Sequence, residues 1–515
     1  MTAGGTRQAL EGFFFQDFYH VTILPLLAAT IGLAWFARPS AKEKFPSGFR
    51  SFQASYLLVW ALCAAADWLQ GPYTYVLYAA YGFSNNEIAQ LFVVGYVSSL
   101  VFGCFVGSLT DKFGRKKCCL LYCVLYFLSC VTKHFRHYRL LMLGRITGGI
   151  ATSILNSCFE CWMVSEHIQR RGFPDSLLAF MFSMMYTVMY CVAIFSGLAG
   201  QAAVDAFAFV PVGGSDSLLY VGGYCGPFDL SIVCTTLGGV LIAAVWEENY
   251  GSPEASGAKG PILGLVQNLK AACGVILSDS RVLALGVVVS FFEGSMFAWV
   301  FNWTPALESA RIPPPHGVIF ALFMMSCMCG ASTSILMGNM ARPRISLFVA
   351  CSVSLIAFLI SAHTAAVGGQ SETNLQITLT AFMVYEFCVG IYFPSVGTLK
   401  SEIVPEELRG TVYNLYRMPL NAIVVGLLLG NISAVTCFRL NAVLLLGALW
   451  SLLAVRPGLQ RKKFSDIELA SIRYEKVAQV EPTDDGVEVS VIGKRAGVAS
   501  PTGNVDAALG WKSSP

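Results

Sequence analysis

Six ionisable residues interrupt stretches that are otherwise apolar: Asp67, Arg145, Glu160, Glu293, Glu386 and Arg417. A charge in such a setting costs several kcal/mol unless it faces a cavity or a partner. The residue types offer two kinds of chemistry. A guanidinium presents a planar fork of N–H donors that fits an oxyanion. A carboxyl carries a proton or holds a guanidinium in place. Arg145 therefore reads as an anion grip or as half of a structural pair. Arg417 reads as a second grip or as the counter-charge of Glu293 or Glu386. Asp67 is a proton site or, as the favoured reading, the counter-charge of Arg145. Glu293 and Glu386 are left for proton coupling. Neutral donors stand nearby: Asn156 and Ser157 lie between Arg145 and Glu160, and Tyr73 follows Asp67. Tyr73 and Tyr75 point to different sides of one helix, so at most one reaches such a site. Asn414 and Asn421 stand one turn either side of Arg417 and are expected to bond their own helix.

The elements that position these residues are membrane helices. Hydrophobic residues make up 55% of the 515 and charged residues 13%, about half the charge of an ordinary soluble domain. That excludes a secreted scaffold, a disordered protein and a DNA-binding protein. The net charge of +3 points to no partner beyond the lipid bilayer. The 17 cysteines lie mostly in apolar runs, as at Cys118-Cys119, Cys327 and Cys329, and read as small helix residues rather than a disulfide frame. A span needs about 20 apolar residues. An isolated run near 18–37 is followed by runs near 54–80, 87–109, 117–134, 138–165, 177–204 and 229–246. After a polar stretch come 282–304, 317–338, 345–363, 376–399, 411–433 and 438–455. The tally is one helix, then six, then six.

Lys and Arg in short loops set the orientation. Arg38, Lys42, Lys44 and Arg50 follow the first run, Lys112, Arg115, Lys116 and Lys117 come two spans later, and Arg170 and Arg171 two spans after that. Lys270, the pair Arg342 and Arg344, the pair Lys400 and Arg409, and finally Arg456, Arg461, Lys462 and Lys463 continue the alternation. These loops are assigned to the cytosol, which puts the N-terminus outside. Lys133, Arg136 and Arg139 dissent, since they fall on the outer side. The organisation expected is an extra N-terminal helix with its basic linker (1–50), a six-helix half (51–246), a cytosolic link (247–280), a second half (281–456) and a disordered cytosolic tail (457–515). An amphipathic stretch at 262–277 is expected on the membrane surface. Trp303 is expected in an interface belt. Asn302-Trp303-Thr304 and Asn431-Ile432-Ser433 fit the glycosylation pattern but sit too close to helix ends for modification.

Gly107-Ser108-Leu109-Thr110-Asp111-Lys112-Phe113-Gly114-Arg115-Lys116 lies between the second and third core helices. It matches at every fixed position the G-x-x-x-D-[RK]-x-G-R-[RK] signature of the major facilitator superfamily, which the chain resembles. Gly107, Asp111, Gly114 and Arg115 would form a cytosolic gate latch, with a turn at glycine and opposite charges meeting at a helix end. The equivalent loop of the second half, Gly338-Asn339-Met340-Ala341-Arg342-Pro343-Arg344, lacks the acid. Longer strings resemble one branch, the eukaryotic molybdate-anion transporters. They include Asp67-Trp68-Leu69-Gln70-Gly71-Pro72-Tyr73, Leu143-Gly144-Arg145, Phe159-Glu160-Cys161-Trp162, Trp246-Glu247-Glu248-Asn249-Tyr250, Tyr392-Phe393-Pro394-Ser395 and Arg417-Met418-Pro419-Leu420.

The resemblance covers roughly residues 20–455. It implies an all-α polytopic fold of two six-helix halves, and uptake of molybdate, a tetrahedral dianion. In that fold core helices 1, 4, 7 and 10 line the central cavity, and all four acids of the opening list fall on them. Glu160 stands 15 residues beyond Arg145, about 22 Å further along a helix, where pairing with Arg115 is the expected role. Four acids against two arginines would repel a dianion unless acids are protonated or paired, so proton symport is expected. No Walker loop, HExxH, paired CxxC or nucleophile with its base appears, so neither an enzyme nor a cofactor or metal is expected. The rivals are a proton-coupled carrier of another small organic or cationic solute, and a non-transporting sensor. A monomer in the plasma membrane is expected, since no organelle signal is present.

Overall fold

Long apolar runs without polar alternation can satisfy their backbone groups in lipid only as helices. The computed structural model describes residues 18–38, 44–214, 217–250, 261–308, 314–338, 342–367, 371–405, 409–430 and 432–454. The tail reading from 457 onward and the Asn431 sequon lie outside these residues. So do residues 339–341 of the second-half loop.

The first helix, α1 (Phe18–Phe36), precedes a set formed by α2 (Phe49–Gln70), α3 (Thr74–Ala80), α4 (Asn85–Phe113), α5 (Arg115–Thr132), α6 (Tyr138–Leu155), α7 (Cys158–Ser165), α8 (Asp175–Ala206) and α9 (Gly226–Val245). Gly71-Pro72 divides the first core helix into α2 and α3. The fourth is divided at Asn156-Ser157 into α6 and α7 and ends in a π turn over Glu166–Arg170. Next come α10 (Pro261–Ser278), then α11 (Ser280–Leu307), α12 (His316–Met337), α13 (Pro343–Ala366), α14 (Glu372–Ile403), α15 (Arg409–Leu429) and α16 (Ala434–Ala454). Pro305, Pro394 and Pro419 sit inside α11, α14 and α15.

Helices thus occupy all thirteen expected runs, and among the described residues eleven spans are long and apolar enough to cross a membrane. The chain is an integral, multi-pass membrane protein. The two runs below that mark are α5, which opens on Arg115-Lys116-Lys117, and the divided α6–α7, which carries Arg139 and Arg145.

Packing repeats between the two sets. In the first, α2 packs on α8 and α9, α4 on α6, and α5 on α6 and α9. In the second, α11 packs on α15 and α16, α12 on α14, and α13 on α14 and α16. Each of these pairs of the first set has its counterpart six core helices later. The sets meet where α8 packs on α12 and α4 on α15. The link helix α10 packs on α11 and α15. Far from isolated, α1 packs on α12, where Thr30 Oγ1 lies 3.2 Å from Cys329 Sγ. A two-stranded hairpin, β1 (Val210–Pro211) with β2 (Tyr220–Val221), closes the outer end of the first set. Its Leu219 bridges to Phe135, and Arg136 N donates to Leu218 O at 2.7 Å.

Lys133 accounts for one of the three dissenting charges, while Arg136 and Arg139 are exposed. Lys133 is no loop charge: it is wholly buried at the end of α5, and its Nζ donates to Tyr78 Oη at 2.5 Å. Trp303, expected in an interface belt, is also buried, against His316 and Phe323. Asn302 is buried and donates to Ala298 O at 2.8 Å. These inward roles follow from the close packing of α11 on α16 and of α12 on its neighbours, which hydropathy does not register.

Candidate functional site

In the first helix set the charges of the membrane interior form one neighbourhood. Arg145 Nε donates to Leu91 O at 3.1 Å, and its Cζ stands 4.9 Å from the Phe92 ring centre. Gly95 makes room for it, since a Cβ there would lie 2.5 Å from Arg145 Nη2. Asp67 is held by Tyr126, whose hydroxyl donates to Oδ1 at 2.6 Å. Asp67 and Arg145 sense each other electrostatically, but no ion pair within 4 Å joins them among the described residues. Arg145 also acts on Tyr78, Tyr96 and Lys133. Arg145 thus stands among Phe92, Tyr78, Tyr96, Lys133 and Asp67, and Asp67 has Tyr126 as its hydrogen-bond partner. Asn156 is exposed at the break between α6 and α7. Ser157 Oγ donates to Ser153 O at 3.1 Å. A break in a membrane helix frees backbone groups to face a ligand.

In the second set, Glu293 Oε1 accepts from Tyr392 Oη at 3.1 Å and lies 3.8 Å from Lys400 Nζ. Lys400 also stands 5.0 Å from the Tyr413 ring centre and feels Arg417 as a like charge. Arg417 is exposed, and Asn421 Nδ2 donates to its carbonyl at 2.6 Å, so Asn421 bonds its own helix. The side chain of Asn414 lies outside the described set. Glu386 is buried, with Cys327 and Tyr190 as its polar neighbours. No ion pair reaches it among the described residues.

Lys133 and Lys400 change the interior charge count. Both fall at the edge of an apolar run and read from the sequence as loop charges. With them the list holds four acids and four basic side chains, of which Lys133 has a hydroxyl rather than a carboxylate as its partner. The signal for Lys133 was its breach of the charge alternation. For Lys400 there was none, because α14 runs on to Ile403, past the end of its apolar run.

At the side assigned to the cytosol, the start of the link folds back on the gate motif. Glu248 accepts from Lys116 N at 2.7 Å and from Lys117 N at 3.2 Å. A carboxylate at these N–H groups caps α5 where the helix dipole is positive. Arg115 N donates to Asn249 O at 3.0 Å, and Trp162 Nε1 to Glu247 O at 2.9 Å. Trp246 and Trp162 stack with ring centres 3.7 Å apart. The side chains of Gly107 and Asp111 lie outside the described set. Glu166 is buried and pairs with Arg171 at 2.9 Å, and Arg170 pairs with Glu247. Glu160 bonds Tyr186 rather than closing on Arg115. Both Glu160 and Arg115 line a cavity of ≈270 Å³ with Val164, Ile168 and Phe182.

Gly114 shows why this turn needs glycine. Its φ is +106°, and a Cβ would lie 2.6 Å from Glu248 Cδ. Gly114→Ala is expected to lower stability by about 1–3 kcal/mol, read as an earlier thermal melt of the detergent-solubilised protein. A melt equal to the wild type would show that the turn relaxes freely.

Named contacts between the two helix sets run from the outer ends to about mid-depth. Tyr73, expected as a ligand donor, donates instead to Gln201 Oε1 at 3.0 Å, and the same oxygen accepts from Gly317 N at 3.0 Å. Tyr73 meets His316 edge-on, Trp68 meets Phe320, Tyr75 and Phe92 meet Phe301, and Tyr96 meets Phe297. Tyr75 Oη also donates to Asn85 Oδ1 at 2.8 Å. These rings close the two sets on each other on the side opposite the gate motif, while the cavity beside Glu160 and Arg115 is lined by the first set alone.

A family model described as sugar transporters with 12 transmembrane segments matches residues 18–380. A molybdate-anion transporter of Takifugu rubripes is 32% identical over 434 residues, covering 79% of this chain and 86% of that protein. One of Danio rerio is 32% identical over 400 residues, covering 74% and 79%. Among solved structures, a D-xylose-proton symporter aligns with a TM-score of 0.59 at 14% identity, covering 81% of this chain and 99% of that one. An auto-inhibited peptide transporter of the POT family aligns at 0.62 and 12% identity, covering 80% and 98%. These low identities speak to the fold.

Proposed function

Because this chain belongs to the major facilitator superfamily, within its molybdate-anion transporter family, we propose that it carries molybdate into the cell by alternating access of its two helix sets. It is a transporter and no enzyme. The observation that carries the oxyanion reading is the placement of cations inside both sets: Arg145 and Lys133 in one, Lys400 and Arg417 in the other. Cations at membrane depth are expensive and are kept where they meet a charge or a substrate. A dianion entering this interior meets cations in both sets, and a proton on a neighbouring acid would favour its binding. Arg145 supplies the bidentate grip, and Asp67 acts as its nearby counter-charge. The break at Asn156-Ser157 offers neutral donors on the same core helix.

Proton coupling stays part of the proposal through two carboxyls of the second set, Glu293 and Glu386. The contacts that close the two sets on each other at the Tyr73–Gln201–Gly317 end support a resting state shut on that side. A single carrier needs no partner subunit for this cycle, and the plasma membrane is the proposed site.

The test is uptake of labelled molybdate, at nanomolar concentration, by cells lacking their own route, with sulfate as competitor. Saturable uptake dependent on this protein is expected. Proteoliposomes containing only this protein should move molybdate as well. Cells that take up an organic or cationic solute instead, or vesicles that move nothing, would overturn the reading in favour of another carrier or of a sensor.

A further inference from the structure

We propose that Lys400 and Arg417 form a dianion site in the second helix set, and that Glu293 competes with the anion for Lys400. Binding of the anion would then require a proton on Glu293. The inference rests on the oxyanion-carrier reading and assigns it a place and a coupling step.

The geometry supplies the competition. One oxygen, Glu293 Oε1, takes both the Tyr392 hydroxyl at 3.1 Å and the Lys400 ammonium at 3.8 Å. A separation of 3.8 Å is a loose ion pair, longer than the 2.7–2.9 Å of a charge-assisted hydrogen bond. Lys400 is therefore restrained without being fully engaged. It stays mostly enclosed, with 17% of its side chain exposed, and Glu293 has 15% exposed, so both remain within reach of water. Arg417 presses on Lys400 as a like charge. Two cations beside one carboxylate leave a local charge of one positive. With Glu293 protonated the excess is two, which matches a tetrahedral dianion. The proton sits on a Glu293 carboxyl oxygen, where the neutral acid can keep the Tyr392 hydroxyl as a partner while Lys400 turns to the anion. No other bond changes.

Among the described residues no further ion pair reaches Glu293 or Lys400, and Glu402, in the last turn of α14, is exposed. On α14 the facing groups are Lys400 and Tyr392, and on α15 they are Arg417 and Tyr413. On α16, Asn441 donates to Ser295 O at 3.2 Å and carries no charge. At the inner end of α11, Asp279 and Arg281 close on each other at 2.7 Å. Lys270 on α10 is exposed.

The test uses the full-length protein in proteoliposomes with labelled molybdate, in two assays: exchange without a gradient, and accumulation driven by an imposed pH gradient. Glu293→Gln is expected to keep exchange, with a half-saturation that no longer changes with pH, and to lose at least tenfold of the gradient-driven accumulation. Lys400→Gln is expected to raise the half-saturation at least tenfold, about 1.4 kcal/mol of binding. Lys400→Arg should stay within a few-fold of the wild type. Elution as a single species by size exclusion verifies folding. Should Lys400→Gln fail to fold, Glu293→Gln and Lys400→Arg decide the matter. Gradient-driven accumulation by Glu293→Gln at the wild-type level would overturn the site alone, as would an unchanged half-saturation in a folded Lys400→Gln. A wild type that moves no molybdate in either assay overturns the oxyanion reading and this site with it.

Discussion

Gly317→Val is expected to cut uptake at least about tenfold while leaving a folded protein. Gly317 lies in the first turn of α12, against Gly197 of α8. A Cβ at this position would collide with the Gly197 carbonyl oxygen and lie 2.6 Å from Tyr73 Oη and 2.9 Å from Gln201 Cβ. The nearest obstacle is backbone and cannot swing aside. The same few atoms close the two sets on each other, since Gln201 Oε1 joins Gly317 N to Tyr73 at 3.0 Å on each side. Overpacking a tight contact costs about 1–3 kcal/mol or more. Here the cost falls on the state in which the outer ends touch and spares a state in which they are apart. An added 3 kcal/mol would shift such an equilibrium by roughly two orders of magnitude. Uptake of labelled molybdate should fall at least about tenfold, with a size-exclusion profile and yield close to the wild type. Gly317→Ala should give a smaller loss of the same kind. Transport by Gly317→Val at the wild-type rate would show that closure at this contact is not part of the cycle.

Arg145→Ala is expected to reduce molybdate uptake about a hundredfold or more. A charge-assisted hydrogen bond is worth about 1.5–3 kcal/mol, and removing one member of a buried charge group leaves the other uncompensated at a further few kcal/mol. Arg145→Lys keeps the charge and loses the fork, so it should recover expression and only part of the transport. The double variant Asp67→Asn with Arg145→Ala separates the two roles open to this arginine. If Arg145 grips the anion, the double variant folds better than Arg145→Ala and still fails to transport. Restored uptake in the double variant would mean that Arg145 serves only to balance Asp67. The lack of a direct ion pair between these two, with Asp67 Oδ1 already bonded by Tyr126 at 2.6 Å, favours the first outcome.

Much of this organisation was readable from residue order. The helix positions, the glycine-rich signature before α5 and the basic inner loops all depend on neighbours a few residues apart. Even the break in the fourth core helix falls at Asn156-Ser157, the pair singled out as neutral donors. Individual pairings were read less well. Tyr73, read as a ligand donor, donates to Gln201 at the contact with α12. Glu160 looked like a partner of Arg115 and instead bonds Tyr186 on α8. Trp303 looked like a lipid-facing belt residue and is buried against α12. In each case the residue type was right for the chemistry proposed, and the helix that arrives to meet it was the missing fact.

The charge count makes the same division. Hydropathy and loop charge are summed over short windows, so residue order alone is enough to specify a multi-pass, all-helical carrier with a short set of interior charges. Whether a particular charge belongs to that set depends on atoms far away in the chain. Lys133 is buried because Tyr78, 55 residues earlier, brings a hydroxyl to its ammonium. Lys400 joins the interior because α11 places Glu293 within 3.8 Å of it. A lysine at the end of an apolar run reads as a loop charge when counted along the chain. Only the packing of helices against one another shows where its long side chain goes, since the cost of burying the ammonium is met by partners that sequence spacing does not register. Those two lysines add basic side chains to an interior that looked, along the chain, to be dominated by acids.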